Sequence, residues 1–228
     1  MSVIKNESVL VIGGSSGIGY GVADRALAEG AKVYIASSNA SRLQQSTCDL
    51  SGLNVEKGLE NVLESVKLLD HIVFTASDAL AIVPLGNINL EAIHKAGHIR
   101  FAVPLLLAKL APRYLKPGYQ SSLTLTSGMG GEKPFPNWSL VAGYLTGLQG
   151  LTRNLALDLK PIRVNLVSPG VVDTPLHGLG GVPDEMKEST ALGKVGTPEE
   201  VAEAYLYFMK DTNATGSCIS TNGGALLL

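Results

Sequence analysis

The chain has 228 residues, of which 45% are hydrophobic and 17% charged, and its formal net charge is −2. That length can bury one large core, the composition excludes a disordered chain, and the charge leaves no electrostatic footprint for nucleic acid or an anionic membrane. Two cysteines, Cys48 and Cys218, are too few for a disulfide framework; with no bilayer-spanning apolar run and no signal peptide, the cytoplasm is the expected setting.

The first apolar run, "SVLVIGG", reads as a strand. It leads into "VIGGSSGIG", which sets Gly13, Gly17 and Gly19 at the head of a helical stretch, "GYGVADRALAEG". Glycines at a strand–helix turn let the backbone approach a pyrophosphate at the positive end of the helix, and Ser15, Ser16 and Ile18 complete that loop. The second strand, "KVYIAS", runs into "ASSNASR". Ser37 stands where an acidic residue would chelate the ribose hydroxyls of NAD, while Ser38, Asn39 and Arg42 can donate to a 2′-phosphate. The cofactor expected is therefore NADP(H).

The connection that follows is short. From Ser38 to Ser46 there are nine residues, fewer than the about 10–12 of a helical crossover. Either that helix is lost, or a mobile segment is missing from this stretch. Beyond it, strands "HIVFTAS", "SLTLTSG", "IRVNLVSPG" and "SCISTNGG" alternate with helical patterns. These are "NVEKGLENVLESVKLLD", "LEAIHKAGHIRFAVPLLLAKLAPRYL", "NWSLVAGYLTGLQGLTRNLALDLK" and "TPEEVAEAYLYFMKD". The β-branched runs suit strands buried on both faces. The alternation predicts an α/β fold: one Rossmann-fold domain over 1–228, a doubly wound parallel sheet with helices on both faces.

The glycine spacing G-x-x-x-G-x-G resembles the short-chain dehydrogenase/reductase family. Further stretches agree in order: "CDLS" after the family's third strand, "GLTRNLALDL", "RVNLVSPGVVDTPL", and "GKVGTPEEVA" leading to "NGG". The resemblance implies that Asp49 and Leu50 flank an adenine, that Ala76 contributes to the cofactor site, and that Pro169, Gly170, Val172 and Thr174 wrap the nicotinamide end. It also implies a homo-oligomer, formed through the long helices that carry Lys109 and Leu155. "HGLGGVPDEMKESTALGKVG" falls in the family's substrate lid, here 176–195.

In that family a tyrosine protonates the substrate oxygen, a lysine four residues later lowers the tyrosine's pKa, and a serine and an asparagine assist. Counting from "GLTR" (Gly150–Arg153) puts Val141 at the tyrosine position, Leu145 at the lysine position and Gly128 at the serine position, with Ser127 adjacent. Arg100 stands where the asparagine belongs. Tyr144 is a poor substitute, because three residues on a helix turn its side chain about 60° away. Hydride delivery to a ketone leaves charge on oxygen that must be protonated or held, so ordinary carbonyl chemistry is not expected. Hydride addition to an iminium carbon needs no oxyanion donor, and a cycloaddition transfers no hydride.

Arg100, Trp138 and Ser127 are the candidate catalytic residues. An arginine in this pocket can polarise a carbonyl, though its charge would oppose a cationic iminium, and an ion pair is the plain alternative. Trp138 offers a flat wall to an aromatic substrate. The chain more specifically resembles fungal natural-product members of the family, such as the reductase/Diels–Alderases of prenylated indole alkaloid biosynthesis. Those lack the tyrosine–lysine pair, bind NADP(H), and surround the substrate with an arginine, an aspartate and a tryptophan. The first and last match Arg100 and Trp138; the aspartate position falls on Phe135, with Asn137 as a weak stand-in. The histidines His71, His94, His98 and His177 show no metal spacing, and surface or helix-end roles are expected. Two other readings stay open: a catalytically silent NADP(H)-binding scaffold or sensor, and an ordinary carbonyl reductase using Tyr144.

Overall fold

The computed structural model describes residues 4–38, 49–52, 54–66, 68–178 and 181–228. Six strands form one sheet: β1 (Ser8–Ile12), β2 (Lys32–Ala36), β3 (His71–Phe74), β4 (Ser122–Thr126), β5 (Arg163–Pro169) and β6 (Cys218–Thr221). All neighbours pair in parallel, in the order β2-β1-β3-β4-β5-β6. Each coincides with a run read from the sequence as a strand. The strand order reverses between β1 and β3, and at such a switch point the loops at the strands' C-terminal ends part to leave a crevice.

Period-two alternation sends successive side chains to opposite faces. Val9 and Val11 of β1 enter one core with Val73, Val167 and the packed helices α1 (Gly17–Ala28) and α7 (Pro198–Lys210). Leu10 and Ile12 enter the other, with Ile72, Leu123 and Leu125. That second face is covered by α2 (Val55–Val66), α4 (Val103–Leu110) and α5 (Ser139–Asp158). A short helix, α6 (Asp184–Glu188), lies between β5 and α7. The expectation of strands buried on both faces holds for β3 and β5 but not for β2 and β6. Those two are the outer strands among the described residues, so one flank of each lacks a neighbour. The short connection after β2, with Asn39, Arg42 and Cys48, lies outside the described residues.

Two buried polar centres brace the sheet. Arg163 is 2% exposed and donates to the carbonyls of Tyr119, Gln120, Phe208, Met209 and Asp211, which ties β5 to the end of α7. His71 is 1% exposed, with Nδ1 2.8 Å from Ser122 Oγ and Nε2 2.9 Å from a Glu7 carboxylate oxygen. This corrects the surface role expected for His71: a strand residue facing two polar partners can be buried without an unsatisfied nitrogen.

The long helix read over "LEAIHKAGHIRFAVPLLLAKL" is also corrected. It is α3 (Leu90–Gly97), a π-turn over His98–Ala102, and then α4. Pro104 explains the break. It has no N–H to give the carbonyl of Arg100, and its ring crowds that carbonyl. The chain widens instead, and Val103 N–H donates to His98 O, five residues back.

Candidate functional site

The crevice at the switch point is a groove of about 480 Å³. The glycine loop forms its floor. Gly13 has φ +91°, and a Cβ there would lie 2.5 Å from Ala76 N, so only glycine lets the loop close onto the end of β3. Ser16 caps α1 through no side-chain bond, and the first turn of α1 holds no acidic residue. The N–H groups of that turn therefore suit a phosphate oxygen. Ser15, Ser16, Gly17, Ile18 and Gly19 all line the groove, as expected.

At the end of β2, Ser37 and Ser38 line the same groove, and Ser37 Oγ lies 2.7 Å from Ser15 Oγ. Asp49 and Leu50 form the opposite wall. Ser51 donates to the Asp49 carboxylate from both its hydroxyl and its N–H, at 2.6 and 2.9 Å, and these bonds hold that carboxyl below its usual range. Ala76 and Thr174 line the groove as well. Asn39 and Arg42 lie outside the described residues. Leu176, at the start of the expected lid, also lines the groove, as do Ile99 and Ser77, which the sequence reading did not single out.

A second, larger cavity of about 600 Å³ opens beside the first. The two share Ile18, Thr75, Ala76, Ser77, Thr174 and Leu176 as walls. Pro169, Gly170 and Val172, expected at the nicotinamide end of the cofactor site, line this second cavity rather than the groove. Its other walls are mainly apolar: Leu80, Ile82, Met129, Leu145 and Leu148 among them.

Arg100 and Trp138 both face this cavity. The Arg100 side chain is 10% exposed; Nε lies 3.0 Å from Asp78 Oδ1, and Nη2 donates to the Asp78 backbone carbonyl. Burial pulls the guanidinium pKa down, and the adjacent Asp78 charge opposes that shift. Asp78 thus supplies a carboxylate beside Arg100, a pairing that the sequence reading did not foresee. Phe135 lines the cavity and packs on Trp138 with ring centroids 4.8 Å apart and planes at 43°. Behind Trp138 the wall is tight, since a Cβ on Gly130 would fall 2.6 Å from Trp138 Cζ3.

Ser127 lines the cavity, but its hydroxyl donates to Leu145 O at 2.9 Å. Gly128 lines it too, while Val141 is buried and is not among the lining residues. Tyr144 does not enter: its hydroxyl donates to Ile93 O at 2.8 Å and its ring packs on Gly97 and Phe101. Asn137 sits at φ +65° outside the lining, with its carbonyl accepting from Val83 N–H. His177, expected in a surface or helix-end role, ends a short turn (Pro175–His177) and lines the cavity with Leu176, Met186 and Ser189. His98, at the C-terminal end of α3, is partly buried and donates from Nε2 to Leu50 O at 2.8 Å. Among the described residues no group of three or more His, Cys, Asp or Glu is placed to hold a metal ion, and no helix is long and apolar enough to cross a membrane.

Residues 2–228 match the SDR-like Rossmann domain. The chain is 41% identical over 254 residues to the short-chain dehydrogenase/reductase malC of Malbranchea aurantiaca, covering 99% of this chain and 96% of that protein. It is 39% identical over 253 residues to ATR9 of Stachybotrys chlorohalonatus, covering 100% of each. The solved structure of the MalC reductase/Diels-Alderase superposes with a TM-score of 0.93, covering 99% of this chain and 98% of that one. A small-chain dehydrogenase in complex with NADPH, 29% identical, superposes with a TM-score of 0.85 over 98% of this chain and 100% of the other.

Proposed function

The chain belongs to the short-chain dehydrogenase/reductase family, and on that premise we propose that it is an NADP(H)-dependent enzyme acting on an alkaloid-like or polyketide-like intermediate as an iminium-type reductase, a cyclase, or both. One observation carries this reading: the glycine-floored groove runs into an apolar cavity through six shared walls, and among the described residues no tyrosine–lysine pair lines that cavity.

The groove fits the cofactor. The Gly13–Gly19 loop and the uncapped turn of α1 suit a pyrophosphate, and Ser37 presents no carboxylate to repel a 2′-phosphate. When bound, NADPH supplies a hydride.

The chain's own residues supply orientation and electrostatics. Phe135 and Trp138 form a platform for a flat ring system. The apolar walls exclude water and hold a flexible substrate in a reactive shape, which suits a cyclisation. Gly128 and Leu145 offer no side-chain donor to an oxyanion, so a substrate that ends as a neutral amine is served better than one that ends as an alkoxide. Arg100 is neutralised by Asp78, which lifts its objection to a cationic iminium while leaving a donor near the cavity. The segment 176–195 acts as the lid, through Leu176, His177, Met186 and Ser189. Leu105 of α4 and Leu157 of α5, both exposed, support self-association along those helices.

The test is a parallel fluorescence titration with NADPH and NADH, followed by NADPH oxidation with cyclic iminium and ketone panels. NADPH-selective binding with turnover of iminium substrates alone is the expected result. Turnover of simple ketones would favour an ordinary carbonyl reductase, a reading that the engaged Tyr144 hydroxyl already disfavours. Binding of neither nucleotide would overturn the proposal.

A further inference from the structure

The π-turn His98–Ala102 lies between the two sites. Ile99 lines the groove, and the next residue, Arg100, lines the cavity. One residue earlier, His98 Nε2 donates to the carbonyl of Leu50, which belongs to the groove wall beside Asp49. One element therefore grips the groove at one end and presents the cavity's guanidinium at the other.

The turn is also held from behind. A Cβ on Gly97 would come within 2.4 Å of the Tyr144 ring, Phe101 packs on the same ring, and Tyr144 bonds to Ile93 O. Anchored there on α5, the turn has little freedom except toward Leu50 and Asp78. A single π-turn inside an α-helical segment is rare and is found frequently at functional sites.

Resting on the NADP(H) reading above, we infer that His98 is a positioning residue: by holding Leu50 it transmits occupancy of the adenine end of the groove to the geometry of the Arg100–Asp78 pair. Binding at one site then alters affinity at the other, and the coupling is reciprocal.

The test uses adenosine 2′,5′-bisphosphate, which spans only the adenine half of the groove. The Nε–H signal of Arg100, assigned by its loss in Arg100→Lys, is followed by nitrogen–proton correlation spectroscopy, with the Gly13 and Gly17 amides reporting binding. In wild type the Arg100 signal is expected to shift in step with those amides. His98→Phe keeps a ring but lacks the donor, and should abolish the Arg100 shift while weakening the fragment about fivefold. His98→Gln keeps an N–H at similar reach and should restore the shift. An unchanged Arg100 shift in His98→Phe would sink the inference, as would a silent Arg100 in a wild type whose glycine amides respond. If those amides also stay silent, the nucleotide reading of the groove falls with it. Circular dichroism establishes that each variant is folded.

Discussion

Arg100 Nε lies 3.0 Å from Asp78 Oδ1, and the pairing accounts for the burial of the guanidinium. Asp78 Oδ1 has no aligned hydrogen bond among the described residues, so the guanidinium is its only counterweight. Removing either partner strands a charge at the edge of an apolar cavity.

Arg100→Ala should therefore cost roughly 1–3 kcal/mol of stability, lowering the melting temperature by several degrees. It should also change the product ratio or stereochemistry. The double variant Arg100→Ala/Asp78→Ala should recover part of the stability but none of the product selectivity. Thermal melts and chiral chromatography check this.

Ser37→Asp places a carboxylate where a 2′-phosphate would sit. NADPH affinity should fall at least about tenfold, near 1.4 kcal/mol, and NADH affinity should rise. Parallel titrations with the two nucleotides decide it, and an unchanged preference would move the phosphate contact elsewhere.

Gly130→Ala would drive a methyl group into Trp138, at 2.6 Å from Cζ3 in the present geometry. The ring must swing into the cavity. The expected result is a shifted emission from the chain's single tryptophan and a raised KM, with the nucleotide affinity unchanged.

Tyr144→Phe removes one partly buried hydrogen bond, to Ile93 O, and should cost about 1 kcal/mol. Turnover should survive, because the hydroxyl does not face the cavity. Loss of turnover in a folded variant would restore Tyr144 as the proton donor.

Arg163→Met strands several carbonyls at the junction of β5 and α7. A loss of at least about 3 kcal/mol is expected in urea unfolding, without a change in nucleotide preference.

The sheet was readable because its signal is local and repeated: β-branched runs ending in glycine, serine or proline fell on all six strands. The glycine loop was readable for the same reason, since Gly13 and its neighbours meet a backbone demand that no other residue meets. Arg100 and Trp138 were found by register along the helices. Their partners were not. Asp78 and Arg100 are 22 residues apart, and nothing along the chain announces that β3 and the π-turn bring them together. His71 misled for a related cause: a histidine's role depends on which nitrogens meet a partner, and folding alone decides that. Pro104 was visible throughout, yet its effect falls on Arg100, four residues away.

The widened turn has a consequence for how such a pocket can change. An α-helix advances about 100° per residue, and a five-back bond encloses one residue more than a four-back bond. With α4 fixed against the sheet, Pro104→Ala would permit the regular spacing and would rotate everything upstream by about one step. Arg100 would leave the cavity, Ile99 would leave the groove, and His98 would lose Leu50. The arginine's position is thus inherited from a proline that touches neither site, and a lineage could switch this wall on or off by a single codon without altering any residue of the wall itself.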